Sequence, residues 1–146
     1  MKKETVKATA ILKEGTIVEA TSGGFKMNFD EPLKSGGTDT AMNPVQGLLC
    51  ALGSCQALSA YYGAKMYGIE LKGFSIDVEG DFDEEGQHGE NGVNSGFTDV
   101  RITYNFDASN SEEDLKKFVK FIEATCPVGD TIANKVNIGM KAIVRK

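Results

Sequence analysis

The cysteines are the residues of this chain whose type and spacing could do chemistry. Cys50 and Cys55 lie five residues apart in an uncharged stretch, and Cys126 stands directly before Pro127. A thiolate is a nucleophile, a metal ligand and a partner in disulfide exchange, so thiol redox chemistry is the first hypothesis. The alternative for each cysteine is a small hydrophobic residue of the core.

The spacing of Cys50 and Cys55 argues against a disulfide between them. In a helix they would lie roughly 140° apart around the axis, with Cα atoms about 8–9 Å apart. A disulfide needs Cα atoms closer than about 7 Å. If Cys55 has a disulfide partner, that partner comes from far along the chain, and Cys126 is the candidate.

The local sequence around Cys126 predicts an activated thiol. Pro127 favours the first position of a short helix, so the Cys126 sulfur would face free backbone N–H groups and the positive end of the helix dipole. Both effects lower the pKa of a thiol. Cys55 lies among apolar residues in the middle of a predicted helix, so local physics makes Cys126 the more activated cysteine and Cys55 the more ordinary one.

Other kinds of site are disfavoured by the sequence. The chain has one histidine, His88, in a glycine-rich loop, which is typical of a solvated side chain and leaves little for Ser-His-Asp or Cys-His catalysis. Three scattered cysteines and one loop histidine have poor spacing for zinc. Gly23 and Gly24 match neither a phosphate loop nor a dinucleotide motif. We therefore expect no metal and no cofactor.

Composition predicts a cytoplasmic protein of one domain, residues 1–146. The chain is 40% hydrophobic, and its net charge of −5 is dispersed, which argues against binding nucleic acid or an anionic membrane. No apolar segment follows Lys2 and Lys3, so we expect no signal peptide. Without export, we expect the thiols to be reduced. Residues 40–64 are too rich in polar and small side chains for a membrane span and predict a core helix. The expected partners are small molecules, another copy of the chain or another protein.

Alternating and helical patterns together predict an α+β fold. Alternation of apolar and polar residues predicts strands at 6–12, 16–21, 25–29, 74–82, 100–106 and 138–144. Polar, glycine-rich segments at 31–42 and 83–95 predict loops.

Three helices are predicted between these strands. Asn43 caps the first, Pro44 takes its first position and Gly68 stops it. Its predicted apolar stripe consists of Leu48, Leu52, Cys55, Ser59, Tyr62 and Met66. The second helix follows a capping box at Ser111, and the third follows Cys126.

Residues 43–55, which read Asn-Pro-Val-Gln-Gly-Leu-Leu-Cys-Ala-Leu-Gly-Ser-Cys, resemble the signature helix of the OsmC/Ohr family. These are the osmotically inducible protein C and organic hydroperoxide resistance proteins. The sequence Cys126-Pro127-Val128 is similar to the second motif of the family, and the order of elements agrees over nearly the whole chain. The resemblance implies antiparallel sheets wrapped around central helices, in an intertwined homodimer with two active sites at the interface.

The resemblance also implies a thiol peroxidase. Cys55 would attack a small organic hydroperoxide and become a sulfenic acid, and Cys126 would condense with it to a disulfide that a dithiol reductant reopens. Both cysteines would then be catalytic. Cys50 has no role in this scheme and is interpreted as a core residue.

The chain departs from the hydroperoxide-resistance branch at the residues that support the thiolate. In that branch a glutamate follows the Asn-Pro pair and binds an arginine from the N-terminal part. Here the position is Val45, and no arginine precedes Arg101. Lys13 or Lys26 could supply positive charge but not a bidentate fork. The chain thus more closely resembles less characterised OsmC-like members. The alternative hypothesis is a catalytically weak OsmC-like dimer that binds an apolar ligand in its interface cleft.

Overall fold

The computed structural model describes residues 1–89 and 92–144. These residues form two compact units, which divide within the first helix after Leu49. Within the described part of the chain, no helix is both long and apolar enough to cross a membrane. That residues 1–146 act as a single domain stays a prediction.

The first unit contains a three-stranded antiparallel sheet in the order β1-β2-β3. The strands are β1 (Ala8–Leu12), β2 (Val18–Ser22) and β3 (Phe25–Phe29). Ala20 of β2 pairs with Ala10 on one side and Met27 on the other. The predicted meander of three strands is confirmed, with the first strand beginning two residues later than its alternation indicated.

Asp30, directly after β3, organises the loop that follows. It is 1% exposed, and its carboxylate accepts hydrogen bonds from the hydroxyl groups of Thr16, Thr38 and Thr40. The hydrogen bond from Thr16, followed by that from Thr38, lowers the pKa of Asp30 far below its usual range. A 3-10 helix at Leu33–Ser35 lies within this loop. The buried carboxylate thus fixes a segment that has little regular structure of its own.

Helix α1 (Pro44–Ala64) begins where the sequence predicts. Asn43 Oδ1 accepts from the Gln46 N–H at 2.9 Å, and Gln46 Oε1 accepts from the Asn43 N–H at 2.9 Å, which forms a capping box. The helix ends at Ala64, whose carbonyl accepts from the Ile69 N–H at 2.8 Å. Gly68 has a φ of 63° in this turn, a conformation that glycine adopts without strain.

The second unit contains one antiparallel hairpin, β4 (Gly73–Phe82) and β5 (Phe97–Asp107). The connection between them was predicted as a loop over 83–95. It contains a short helix, α2 (Glu84–Gln87), because the Asp83 side chain accepts from the Glu85 N–H and caps it. Glu90 and Asn91 of the predicted loop lie outside the described residues.

Helices α3 (Glu112–Thr125) and α4 (Pro127–Ala133) follow the hairpin. Ser111 caps α3 by accepting from the Asp114 N–H at 3.2 Å, as the sequence predicts. Phe118 and Ile122 of α3 are fully buried and form the centre of the core together with Ala60 and Ile69. The α+β fold class with antiparallel sheets is confirmed.

The buried face of α1 differs from the predicted stripe. Tyr62 and Met66 are 74% and 75% exposed, whereas the buried residues are Leu52, Gln56, Ala60 and Gly63. A methyl group at Gly63 would overlap the ring of Phe121 from α3. The helices therefore meet over small residues of α1 near Gly63, and the neighbouring Tyr62 is left exposed.

The predicted closing strand, 138–144, is wrong for this chain. The described residues 135–144 contain no strand, and Ile138, Met140 and Val144 are 80%, 93% and 84% exposed. A strand needs a neighbour that pairs with its backbone N–H and C=O groups. Within the described ranges, the two sheets contain only β1–β3 and β4–β5, so this segment has alternation without a pairing strand.

Candidate active site

The structure brings together the two cysteines that the sequence singles out. Cys55 is half-buried in α1, and Cys126 is 1% exposed at the junction where α3 ends and α4 begins. Cys55 lies close enough to Cys126 to raise the pKa of that thiol, and both thiols are free. Two residues distant in sequence thus form a pair of adjacent thiols.

The environment of Cys126 differs from the sequence expectation in one respect. Its Sγ accepts a 3.2 Å hydrogen bond from the Gly129 N–H, so the predicted cap of α4 is present. Burial nevertheless raises the pKa of Cys126. The backbone N–H groups of Gly129 and Val128 lower this pKa but do not offset the effect of burial, and the neighbouring Cys55 raises it further. The prediction that Cys126 is an activated thiol is therefore wrong.

Cys50 was interpreted as a core residue, and that interpretation is wrong for this chain. Its side chain is exposed, whereas Leu52 and Gln56 lie on the buried face of α1. The helical spacing explains the difference, since Cys50 is two residues from Leu52 and projects roughly 160° away from it. It is a free and reachable thiol that does not belong to the pair.

A buried polar contact that the sequence analysis missed lies beside the thiols. The Tyr104 hydroxyl donates a 2.7 Å hydrogen bond to Oε1 of Gln56, which is 2% exposed. Burial, followed by the electrostatic effects of Glu123 and Cys126, raises the pKa of Tyr104 to about 12. The available signal was Gln56 itself, a polar residue at helical spacing from Leu52 and Ala60.

A cavity of about 500 Å³ lies within the second unit. Residues of α1, β5, α3 and α4 line it, among them Leu52, Gln56, Ile102, Glu123 and Gly129. Neither cysteine is part of the lining, but the Gly129 N–H that holds the Cys126 sulfur belongs to this wall. The cavity therefore adjoins the thiol pair.

The cations considered in the sequence analysis are engaged by carboxylates. Arg101 of β5 binds Asp81 with an Nη2–Oδ1 distance of 3.0 Å, which together with the charge of Asp81 raises the pKa of Arg101. Lys13 and Lys26 both pair with Glu19, at 3.6 Å and 2.9 Å. Each of the three cations thus has an acidic partner within its own unit.

The fold belongs to a recognisable class. It combines antiparallel sheets with one helix that carries a cysteine and a second helix that is capped by the cysteine of a Cys-Pro pair. The family model described as OsmC-like protein matches residues 37–141. The chain belongs to the OsmC-like family. The predicted membership of the OsmC-like family is confirmed.

Individual relatives are distant but cover nearly the whole chain. A Mycoplasma genitalium protein named hydroperoxide reductase is 24% identical over 139 residues, which are 92% of this chain and 94% of the relative. The crystal structure of an OsmC-like protein from Mycoplasma pneumoniae has a TM-score of 0.78 at 22% identity, covering 90% of this chain and 89% of its own. An organic hydroperoxide resistance protein OsmC from Legionella pneumophila has a TM-score of 0.64 at 20% identity, covering 90% and 91%. The structural similarities show the fold.

Proposed function

We propose that this protein is a cysteine-based peroxidase that reduces small organic hydroperoxides. The observation that carries the proposal is the proximity of Cys55 to Cys126 in a chain of the OsmC-like family. The distant relatives named hydroperoxide reductase support the choice of substrate. Cys55 is the peroxidatic residue in this proposal, since its side chain is half-buried while that of Cys126 is buried.

The first step oxidises Cys55. Its thiolate attacks the outer oxygen of the O–O bond, forms an S–O bond and expels an alkoxide, which takes a proton and leaves as the alcohol. The hydroperoxide is reduced by two electrons, and Cys55 becomes a sulfenic acid.

The second step uses Cys126 as the resolving residue. Its sulfur attacks the Cys55 sulfenic acid, the S–O bond breaks, and the thiol proton leaves with the hydroxyl group as water. A dithiol reductant then reduces the disulfide by exchange and regenerates both thiols.

The proposal includes a homodimer. Large apolar side chains of α1 are exposed in the single chain, including Leu58 at 56% and Tyr61 at 73%. The unpaired segment 138–144 adds further exposed apolar residues. Exposed apolar side chains in this number are consistent with a protein interface. Sedimentation velocity measures the assembly directly, and a monomer at micromolar concentration would contradict the proposed homodimer.

Localisation in the cytoplasm stays a prediction.

The experiment that tests the peroxidase is a titration of the reduced protein with cumene hydroperoxide and, separately, with hydrogen peroxide. Peptide mapping by mass spectrometry then reports the state of each thiol. A Cys50→Ser variant is used alongside, because the exposed Cys50 thiol would otherwise react on its own. We expect one Cys55–Cys126 disulfide per chain, formed faster with the organic oxidant.

The second candidate function is a catalytically weak dimer that binds an apolar ligand. Val45 at the position of the supporting glutamate and the engagement of Arg101 by Asp81 favour it. Thiols that remain unmodified at a modest excess of hydroperoxide would support this candidate and reject the peroxidase.

A further inference from the structure

Gln56 is a polar side chain on the buried face of α1. It is 2% exposed, and Leu52 and Ala60, one helical turn before and after it, are buried with it. The Tyr104 hydroxyl donates a 2.7 Å hydrogen bond to its Oε1. An apolar residue would fill this position without the cost of removing an amide from water, so the stability of the fold alone does not account for a glutamine here.

Tyr104 is held in the sheet by contacts on several sides. It lies in β5 opposite Ile76 of β4, and its ring stacks on that of Phe106 with the centroids 6.4 Å apart. The same side chain packs against the buried core cluster that contains Phe118. The hydroxyl group therefore has a fixed position, from which it holds Oε1 of Gln56.

This hydrogen bond lies at the part of α1 that approaches Cys126. Cys55 directly precedes Gln56 in the helix. A methyl group at Gly129 would lie 3.4 Å from Cys126 Sγ and 3.6 Å from Cδ1 of Leu52, so the helical turn before Gln56 comes close to the first turn of α4. The hydroxyl group that holds Gln56 is also close enough to Cys126 for that thiol to raise its pKa. The hydrogen bond and the two thiols thus belong to one small region of the second unit.

Rotation of α1 about its axis is the motion that this hydrogen bond opposes. The ends of helical side chains lie about 5 Å from the axis, so a rotation of about 20° moves them by about 2 Å. Apolar contacts oppose such a rotation weakly because they have no preferred direction, whereas a hydrogen bond weakens steeply away from its optimum angle. A disulfide accepts Cβ–Cβ distances of only about 3.5–4.5 Å. A displacement of about 2 Å at Cys55 would therefore remove the geometry that a bond to Cys126 needs.

We propose that Tyr104 and Gln56 are positioning residues, whose hydrogen bond holds Cys55 in the geometry that a bond to Cys126 requires. The inference deepens the proposed function and rests on it, because the effect falls on the second step. In that step the Cys126 sulfur forms the S–S bond, the S–O bond of the Cys55 sulfenic acid breaks, and the hydroxyl group leaves with the thiol proton as water. Attack on the hydroperoxide uses Cys55 alone and depends less on this geometry.

The test measures how readily the two thiols form a disulfide in the absence of hydroperoxide. The Cys50→Ser protein is equilibrated with mixtures of reduced and oxidised glutathione, and mass spectrometry gives the fraction with a Cys55–Cys126 disulfide. In this exchange the two protein thiols lose two electrons and two protons, and one oxidised glutathione becomes two reduced molecules. The equilibrium gives the effective concentration of one protein thiol toward the other. We expect it to fall about tenfold in Tyr104→Phe and in Gln56→Leu.

A double variant separates positioning from stability. Each single change leaves the remaining polar group without this partner and lowers the urea midpoint, whereas Tyr104→Phe/Gln56→Leu removes both groups and restores the midpoint. We expect the double variant to recover its stability and to keep the lowered effective concentration. If the effective concentration recovers together with the stability, the hydrogen bond only stabilises the fold and the inference is overturned. The matched control is Tyr62→Phe, which removes an exposed hydroxyl group from the same helix and should form the disulfide as the parent chain does.

Kinetics with cumene hydroperoxide assign the effect to one step. Rapid quenching with dimedone, followed by mass spectrometry, gives the rate at which the Cys55 sulfenic acid forms and the rate at which the disulfide replaces it. We expect the ratio of the second rate to the first to fall about tenfold in the double variant. An unchanged ratio would overturn the inference.

The two measurements distinguish a failure of this inference from a failure of the proposed function. If the parent chain forms the disulfide in glutathione and the variants form it less readily, but no hydroperoxide is consumed, the peroxidase proposal fails and the positioning role stands. If hydroperoxide is consumed and all the variants form the disulfide as readily as the parent chain, the peroxidase stands and the positioning role fails. A parent chain that forms no disulfide in glutathione would overturn the positioning role directly.

Discussion

The hydroxyl of Tyr104 on β5 and Oε1 of Gln56 on α1 are joined by a 2.7 Å hydrogen bond. Gln56 directly follows Cys55, so this contact fixes the turn of α1 that carries the half-buried thiol. The pKa of Tyr104 is raised to about 12, chiefly by burial, and the hydroxyl therefore remains a donor throughout the physiological range. The helix is thus held against the sheet by a polar contact inside an otherwise apolar layer.

Replacing Tyr104 with Phe should destabilise the protein. The change leaves the buried Gln56 Oε1 without a donor, which costs about 1–3 kcal/mol of unfolding free energy. Urea unfolding followed by circular dichroism measures the difference. The control is Tyr62→Phe, because Tyr62 lies on the same helix and is 74% exposed. Equal stability of the two variants would contradict a structural role for the Tyr104–Gln56 contact.

Replacing Cys126 with Ser should stop the proposed cycle after its first step. Without a second thiol, the sulfenic acid on Cys55 has no partner to condense with, so we expect one equivalent of hydroperoxide consumed per chain. Dimedone labelling followed by mass spectrometry identifies the trapped species. Cys55→Ser should consume none and remain folded. If Cys126→Ser turns over repeatedly with a dithiol reductant, Cys126 is not the resolving thiol.

The stability contributed by Cys126 should decrease at alkaline pH. Its pKa is raised in the folded state, so its contribution is fully present below the unfolded value of about 8.5 and is lost as pH rises through the folded pKa. We therefore expect the difference in unfolding free energy between the reduced protein and Cys126→Ala to shrink as pH rises above about 8.5. Urea unfolding of both chains across this range measures it. A difference independent of pH would show that burial does not perturb this thiol.

The features predicted correctly from sequence are those decided over a few residues. The cap of α1 joins Asn43 to Gln46, and the cap of α3 joins Ser111 to Asp114, so each depends on one local turn. The sulfur cap at Cys126 depends on Gly129 in the same way. The pairing of Cys55 with Cys126 in a disulfide stays a prediction, which rests on the choice of Cys126 as a distant partner and on the family resemblance, because no local pattern contains it.

The features predicted wrongly depend on contacts between distant segments. The buried face of α1 is set by the close approach of Phe121 to Gly63, which periodicity within α1 does not encode. The pKa of Cys126 depends on how deeply the junction is buried, and this burial outweighs the local helix terminus. Segment 138–144 has the alternation of a strand, but alternation does not supply a neighbouring strand.

Replacing Gly63 with Ala should weaken the contact between α1 and α3. The added methyl group would overlap the Phe121 ring, and overpacking of this kind costs about 1–3 kcal/mol. Gly53→Ala is the matched control, because its methyl group would meet only the Val78 side chain at 3.3 Å. There the gain in helix propensity, up to about 1 kcal/mol, offsets a small displacement. Thermal unfolding of both variants tests the prediction, and equal midpoints would contradict the close approach.

Replacing Asp30 with Asn should remove an acid-dependent part of the stability. Hydrogen bonds from Thr16 and Thr38 lower the pKa of folded Asp30, so its contribution is present above the unfolded value of about 3.9 and is lost as pH falls toward the folded pKa. An asparagine side chain would also place an amide N–H donor against the hydroxyl and N–H groups that now donate to the Asp30 carboxylate, and two facing donors form no hydrogen bond. We therefore expect Asp30→Asn to be less stable than the parent chain at pH 7. Between about pH 5 and 2 it should lose less further unfolding free energy than the parent chain does.

The control is Asp39→Asn, an exposed change in the same loop, which should follow the parent in both respects. Urea unfolding at pH 7, 5 and 3 measures all three chains, and parallel curves for Asp30→Asn and the parent would show that the buried carboxylate does not organise this loop.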